Sequence, residues 1–194
     1  MATSTNSVDL VDGDVAQSFA RAAVLAALIS ATAYVSIPIP FSPVPFTLQV
    51  LFVCLAGLAL GPVWGPVSML LYVTAGAVGL PVFANGAGGL GVIAGPTGGY
   101  LLSYPIAAFV IGLFVHRGTT LRDPATVSLP TLVVSVVAGL VLVYGIGVPW
   151  FGWVQNVGMA EAVVVAMVPY LPFDLVKLAA AIAIVRSGRL SIGN

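Results

Sequence analysis

Long apolar segments alternate with short, turn-rich stretches along almost the whole chain. Residues 22–115 contain no Asp, Glu, Lys or Arg. A charge-free stretch of that length is too long for one helix, so the proline and glycine clusters inside it predict turns. The pattern predicts six apolar segments, at residues 19–37, 46–60, 67–80, 100–115, 128–148 and 161–185.

Three of the connecting stretches have a marked composition of their own. Four prolines in residues 38–45 predict extended backbone, because proline cannot continue a helix. Residues 81–100 are rich in glycine, but no Gly-Lys-Ser/Thr follows, which argues against a phosphate-binding loop. They predict instead a loop that folds over a small molecule. Residues 149–160 hold two tryptophans, which are typical of a loop at a membrane interface. A tight turn is predicted at Gly61-Pro62.

Composition then defines the class of protein. Hydrophobic residues make up 60% of the chain and charged residues 6%, against roughly a quarter charged in soluble domains. The predicted fold is therefore all-α: one six-helix membrane domain over residues 19–186, between polar cytoplasmic tails at 1–18 and 187–194. Several segments are shorter than the roughly 20 residues of a perpendicular span, so either their ends include turn residues or the bilayer is thinned there.

The few charges predict an orientation. With both termini in the cytoplasm, every arginine lies inside, and the outer stretches 38–45, 81–99 and 149–160 contain no Lys or Arg. His116 and Arg117 end the fourth segment, where interfacial anchoring of the histidine is favoured over metal ligation. Cys54 is the only cysteine, which excludes an intrachain disulfide.

Asp174 and Lys177 are the most informative pair in the chain. They stand three residues apart inside the sixth apolar segment, a spacing that places both side chains on one face of a helix. Ionisable groups at membrane depth are costly and usually mark a functional site. Pro169 and Pro172 remove backbone donors just before the pair, and broken backbone at that depth is tolerated where it lines a pocket. The alternative is a self-neutralising pair that only joins two helices.

Small residues recur in the first segment at helical spacing. Such residues allow a second helix to approach closely in lipid. From the pattern alone, a docking surface and ordinary internal packing are equally consistent with the alanines in question: Ala22, Ala23, Ala26, Ala27 and Ala31.

Four motifs resemble those of one known family. P-F-S-P-V-P-F-T-L-Q (residues 40–49), G-L-P-V-F-A (79–84), L-G-V-I-A-G-P-T-G-G-Y-L (90–101) and P-x-D-x-x-K (172–177) are similar to the BioY family, the biotin-specific S components of energy-coupling-factor (ECF) transporters. The resemblance covers roughly residues 20–186. It implies capture of biotin from the external side by a six-helix membrane protein, without catalysis and without a cofactor. It also implies a transmembrane coupling subunit and two cytoplasmic ATPases as partners, with the alanine-rich first helix as the docking surface.

The chemistry of biotin suits the polar residues of these motifs. An Asp174 carboxylate accepts from the ureido N–H groups, Lys177 pairs with Asp174 or reaches an anionic or carbonyl oxygen, and Asn85 can both donate and accept. Whether Lys177, a helix N-terminus or backbone N–H groups bind the carboxylate tail is left open by the sequence. Aromatic residues cover the apolar ring. The ligand-binding residues implied are Asp174, Lys177, Asn85, Gln49, Thr47, Thr97, Tyr100 and Phe83.

The residues are also consistent with two other functions. One is a membrane-embedded enzyme with Asp174 as general base, with or without His116. The other is a purely structural or channel-like protein. An S component for a different small vitamin also fits the residues, because the choice of biotin depends on the resemblance.

Overall fold

The computed structural model describes residues 13–188. Predictions for residues 1–12 and 189–194, which include Asp9, Asp12 and Arg189, lie outside the described residues. Within residues 13–188 the chain forms seven α-helices and one short β-hairpin. The helices are α1 (Gly13–Thr32), α2 (Gln49–Ala77), α3 (Leu90–Ala94), α4 (Gly98–His116), α5 (Leu129–Gln155), α6 (Met159–Ala166) and α7 (Leu171–Arg186).

Four of these helices, α1, α2, α4 and α5, are long and apolar enough to cross a membrane. The pair α6 and α7 makes a fifth if it counts as one span bent by 56°. The bend lies at residues 167–170, next to Pro169 and Pro172, where the missing backbone donors predicted a break. A membrane protein is therefore confirmed, whereas the predicted count of six helices is not.

The fold is mostly helical, as predicted, but the proline-rich stretch forms a short hairpin that the prediction did not include. Strands β1 (Ile37–Ile39) and β2 (Ser42–Phe46) pair antiparallel, with Ile39 opposite Ser42. Prolines fix the extended conformation but cannot donate to the ladder, which keeps the two strands short.

Helix α2 turns back on itself at Gly61. The backbone there is left-handed (φ 74°), a conformation that glycine adopts without strain. Beyond it, a Cβ on Gly65 would lie 2.8 Å from the Ala56 carbonyl oxygen, and the Gln49 amide donates to the Tyr72 hydroxyl. A continuous helix would separate those two residues by about 35 Å. The predicted turn is present, and the two halves of α2 pack against each other.

Helix α4 lies between α2 and α5 and packs closely on both. A Cβ on Gly112 of α4 would lie 2.5 Å from the backbone of Gly61, and one on Gly57 would lie 2.7 Å from the Ala108 carbonyl oxygen. Glycine at such contacts lets helix backbones approach closely, which is the usual source of helix association in lipid.

Two local predictions differ from the structure. Helix α5 continues through Pro149 to Gln155, so most of residues 149–160 is helical and not a loop. His116 is not an exposed anchor, because only 2% of it is accessible. Its Nδ1 accepts from the Arg122 backbone N–H at 2.9 Å, and Nε2 lies 3.1 Å from the Leu58 carbonyl oxygen. The histidine joins the loop after α4 to the turn of α2.

Candidate ligand-binding site

A cavity of about 190 Å³ lies under the β-hairpin, between the amino-terminal ends of α2 and α4, the middle of α5, and the bend before α7. Every residue that the sequence implied for ligand binding lines it: Thr47, Gln49, Phe83, Asn85, Thr97, Tyr100, Asp174 and Lys177. Cavities for drug-sized ligands measure roughly 300 Å³ or more, so this one suits a smaller molecule.

Asp174 and Lys177 form a buried ion pair on the wall of this cavity. The Lys177 Nζ lies 2.6 Å from the Asp174 Oδ1, and the two residues are 7% and 3% accessible. The ammonium also lies 4.1 Å from the centre of the Phe46 ring, a cation–π contact. Both ions face the cavity, so neither is sealed in a dry contact between helices.

Tyr144 holds the other oxygen of the carboxylate. Its hydroxyl donates to Asp174 Oδ2 at 2.5 Å from α5, thirty residues away along the chain. Each carboxylate oxygen accepts one hydrogen bond and keeps capacity for a second. Asp174 is therefore fixed in position while it remains able to accept from a ligand.

The sequence reading missed three tyrosines that line the cavity: Tyr104, Tyr144 and Tyr170. A weak signal was present for Tyr104, which follows Tyr100 by one helical turn and so shares its face. Nothing local marked Tyr144, because its role depends on α5 packing beside α7.

Gln49 and Thr47 belong to a hydrogen-bonded network on the same wall. The Gln49 Oε1 accepts from the hydroxyls of Thr47 (3.0 Å) and Tyr104 (3.3 Å), while its amide donates to Tyr72. Buried polar groups satisfied in this way hold one arrangement. The network keeps the start of α2 fixed against α4.

The glycine-rich stretch closes the cavity from one side. Asn85 sits in a left-handed backbone conformation (φ 60°), which asparagine tolerates better than most residues. Its backbone N–H donates to the Ala33 carbonyl oxygen at 3.2 Å, and the Ser36 hydroxyl donates to its side-chain oxygen. On the other side, Trp150 donates to the Gly95 carbonyl oxygen at 2.9 Å. The stretch is therefore a cover held at both ends and not a slack connector.

The bend between α6 and α7 is completed by tyrosines. Helix α6 ends at Ala166, whose carbonyl oxygen accepts from the Tyr100 hydroxyl at 2.7 Å. Tyr170, inside the bend, donates to the Val44 carbonyl oxygen of β2. The Tyr100 side chain thus satisfies a backbone group released by the break, which is the condition for irregular backbone at membrane depth, and Tyr170 joins the bend to the hairpin.

The alanines of α1 divide between two faces. Ala22 and Ala26 are 0% and 8% accessible and pack inward, so they do not belong to an exposed docking surface. Ala27 and Ala31 are exposed and Ala23 is half-buried. These three, spaced four residues apart, form one outward stripe.

No group of three or more potential metal ligands (His, Cys, Asp or Glu) occurs among residues 13–188. His116 lies at the far end of α4 and is absent from the cavity lining. A site that joins Asp174 with His116 is therefore not formed in this structure.

Taken together, these features define a membrane-embedded protein with a small, covered binding cavity built around one buried ion pair. The BioY family model matches residues 2–193. The chain belongs to the BioY family, which confirms the resemblance drawn from its motifs and places it with transport components and not with enzymes.

Relatives and a solved structure agree with this assignment. The biotin transporter BioY of Thermotoga maritima is 42% identical over 161 residues, which cover 83% of this chain and 89% of the relative. The probable biotin transporter BioY of Pyrococcus horikoshii is 40% identical over 169 residues, 87% of this chain and 94% of the relative. The crystal structure of an S-component for biotin from an ECF-type ABC transporter superposes with a TM-score of 0.83 at 27% identity, covering 95% of this chain and 96% of that one.

Proposed function

We propose that this chain captures biotin from the external side as the S component of an ECF-type transporter. The observation that carries the proposal is the Asp174–Lys177 pair, which lines a covered cavity together with Asn85. Biotin is then the transported ligand and not a cofactor, and the chain performs no chemistry on it.

The donors and acceptors of the cavity complement the ureido ring. Asp174 retains lone pairs for the two ureido N–H groups, and Lys177 has N–H groups beyond the one it gives to Asp174. The side chain of Asn85 reaches the same space from the cover. Phe83 and Tyr100 offer ring surfaces to the apolar sulfur ring of biotin.

The lining contains one ammonium and one carboxylate, which already neutralise each other. A second anion deep in this cavity would meet no unpaired cation. We therefore place the ureido end of biotin at the ion pair and its carboxylate tail toward the mouth, where water solvates the charge.

We further propose six spans, with the two halves of α2 counted separately and α6 and α7 as one bent span. This count is supported by the packing of Gly65 against Ala56, since the chain must reverse within α2 to bring them together. With six spans both termini lie on one side, and the positions of the arginines favour the cytoplasm as that side. The proposed domain division remains 1–18, 19–186 and 187–194.

A titration of the purified chain with biotin tests the proposed function. We expect binding at micromolar or lower concentration, and replacing Asp174 with Asn should weaken it about tenfold to a hundredfold, since hydrogen bonds to a charged group are worth roughly 1.5–3 kcal/mol. The matched control is D123N, which changes an aspartate in the exposed loop before α5. No binding of biotin in the micromolar range contradicts the proposal, and a preference for another vitamin in competition would reassign the ligand.

The outward stripe Ala23, Ala27 and Ala31 is proposed as the docking surface for a transmembrane coupling subunit, which in turn works with two ATPases. Replacing Ala27 with Trp should abolish co-purification with the coupling subunit while biotin binding persists, because a bulky side chain prevents close helix approach. V141W, at an exposed position of α5, introduces the same residue elsewhere and should leave the complex intact. Equal loss in both variants would remove α1 from the interface.

A further inference from the structure

A second concave surface lies away from the biotin cavity, at the end of the molecule where α4 finishes and α5 begins. It has a volume of about 510 Å³ and is lined by Leu113, Phe114, Arg117, Pro130, Thr131 and Val134. It belongs neither to the proposed biotin site nor to the proposed docking stripe on α1.

The walls of this groove are apolar and exposed. Leu113 and Phe114 are each 44% accessible and Val134 is 53% accessible. They lie on two helices that are long and apolar enough to span a membrane. Within the bilayer, an exposed apolar groove between two spans faces the hydrocarbon chains of lipids.

One end of the groove carries a cation. Arg117 is exposed and forms no ion pair with any of residues 13–188. It also occupies a left-handed backbone position (φ 54°) at the end of α4, where glycine is the usual residue. An arginine placed against this backbone preference favours a role for its side chain.

A second apolar groove differs from this one in its charge. A groove of similar size between α5 and α6–α7, about 450 Å³, has no charged residue in its lining. That lining offers no charge to a lipid headgroup, whereas the groove that ends at Arg117 carries one cation. Basic pockets between spans on the cytoplasmic side are suited to anionic lipid headgroups.

We propose that the groove lined by Leu113, Phe114, Arg117, Pro130, Thr131 and Val134 binds an anionic phospholipid. One acyl chain lies along the apolar walls, and the phosphate pairs with the Arg117 guanidinium, whose fork of N–H donors matches phosphate oxygens. In the proposed orientation this end of α4 faces the inner leaflet.

Native mass spectrometry of the full chain in detergent, titrated with phosphatidylglycerol or phosphatidylcholine, tests this proposal. We expect one phosphatidylglycerol to be retained in preference to phosphatidylcholine. R117Q should weaken that binding about fivefold, the contribution of one basic side chain at an anionic surface, and R117K should retain most of it. V134W fills the apolar part of the groove and should also lower binding.

The matched control is R122Q, which removes an equal charge from the same loop but outside the groove. Its side-chain change leaves the backbone N–H to His116 in place. Equal losses in R117Q and R122Q would mean diffuse attraction of anionic lipid and would overturn the proposal. So would equal binding of the two lipids, or unchanged binding in V134W. Should V134W not fold, as judged by its thermal unfolding, L113W fills the same groove from α4.

Discussion

Replacing Lys177 with Met should lower the free energy of unfolding by about 3–5 kcal/mol, because it leaves the Asp174 carboxylate buried without its cation. Asp174 is 3% accessible, and its remaining partner is the neutral Tyr144 hydroxyl. Biotin binding should be lost in the same variant, since the proposed ligand contacts depend on the position of the carboxylate. Thermal unfolding in detergent and a biotin titration measure the two effects.

The double variant D174N/K177M separates charge from packing. Removing both ions leaves no unpaired charge, so most of the lost stability should return while biotin binding does not. If the double variant is no more stable than K177M alone, the pair is not electrostatically coupled. If K177M binds biotin as the wild type does, the ligand lies elsewhere.

Replacing Gly112 with Ala should lower the free energy of unfolding by about 3 kcal/mol, near the upper end for overpacked sites. The new methyl group would lie 2.5 Å from Gly61 C and Pro62 N. Both are backbone atoms of the turn in α2, so the clash cannot be relieved by rotating a side chain. The backbone shift needed to relieve the clash would separate α4 from α2 and displace residues of both helices that line the cavity. The unfolding midpoint in detergent measures the loss.

Gly145 provides the matched control for that prediction. It lies in the exposed face of α5, and a Cβ there would meet nothing within 4 Å. G145A should therefore keep or slightly raise stability, since alanine is favoured over glycine inside a helix by roughly 0.5–1 kcal/mol. Equal destabilisation by G112A and G145A would show that close approach of α4 to α2 is not the cause.

Features set by neighbouring residues could be predicted from the sequence, whereas the pairing of separate segments could not. The ion pair could be located from sequence because charge is rare at membrane depth and three-residue spacing fixes a shared face. The bend before α7 and the turn at Gly61 followed from proline and glycine, which act locally. The hairpin at residues 37–46 was predicted only as extended backbone, since strand pairing is not encoded in proline content.

The alanines of α1 show where local pattern stops being sufficient. Their spacing indicated helix packing, but it fitted the inward Ala22 and Ala26 as well as the outward Ala27. Which stripe is buried depends on how α1 rotates against α2. Hydrophobic contrast cannot decide it, because lipid and protein interior are equally apolar.

By itself the sequence determined that the chain is a helical membrane protein with one buried pair of charges, because composition and spacing are properties of neighbouring residues. Only the tertiary structure decided that Tyr144 holds that pair, that α2 folds back on itself, and that Asn85 closes over the cavity. Each of these depends on contact between residues far apart in the chain. Such contacts are set by the close packing of helices, which no local pattern records.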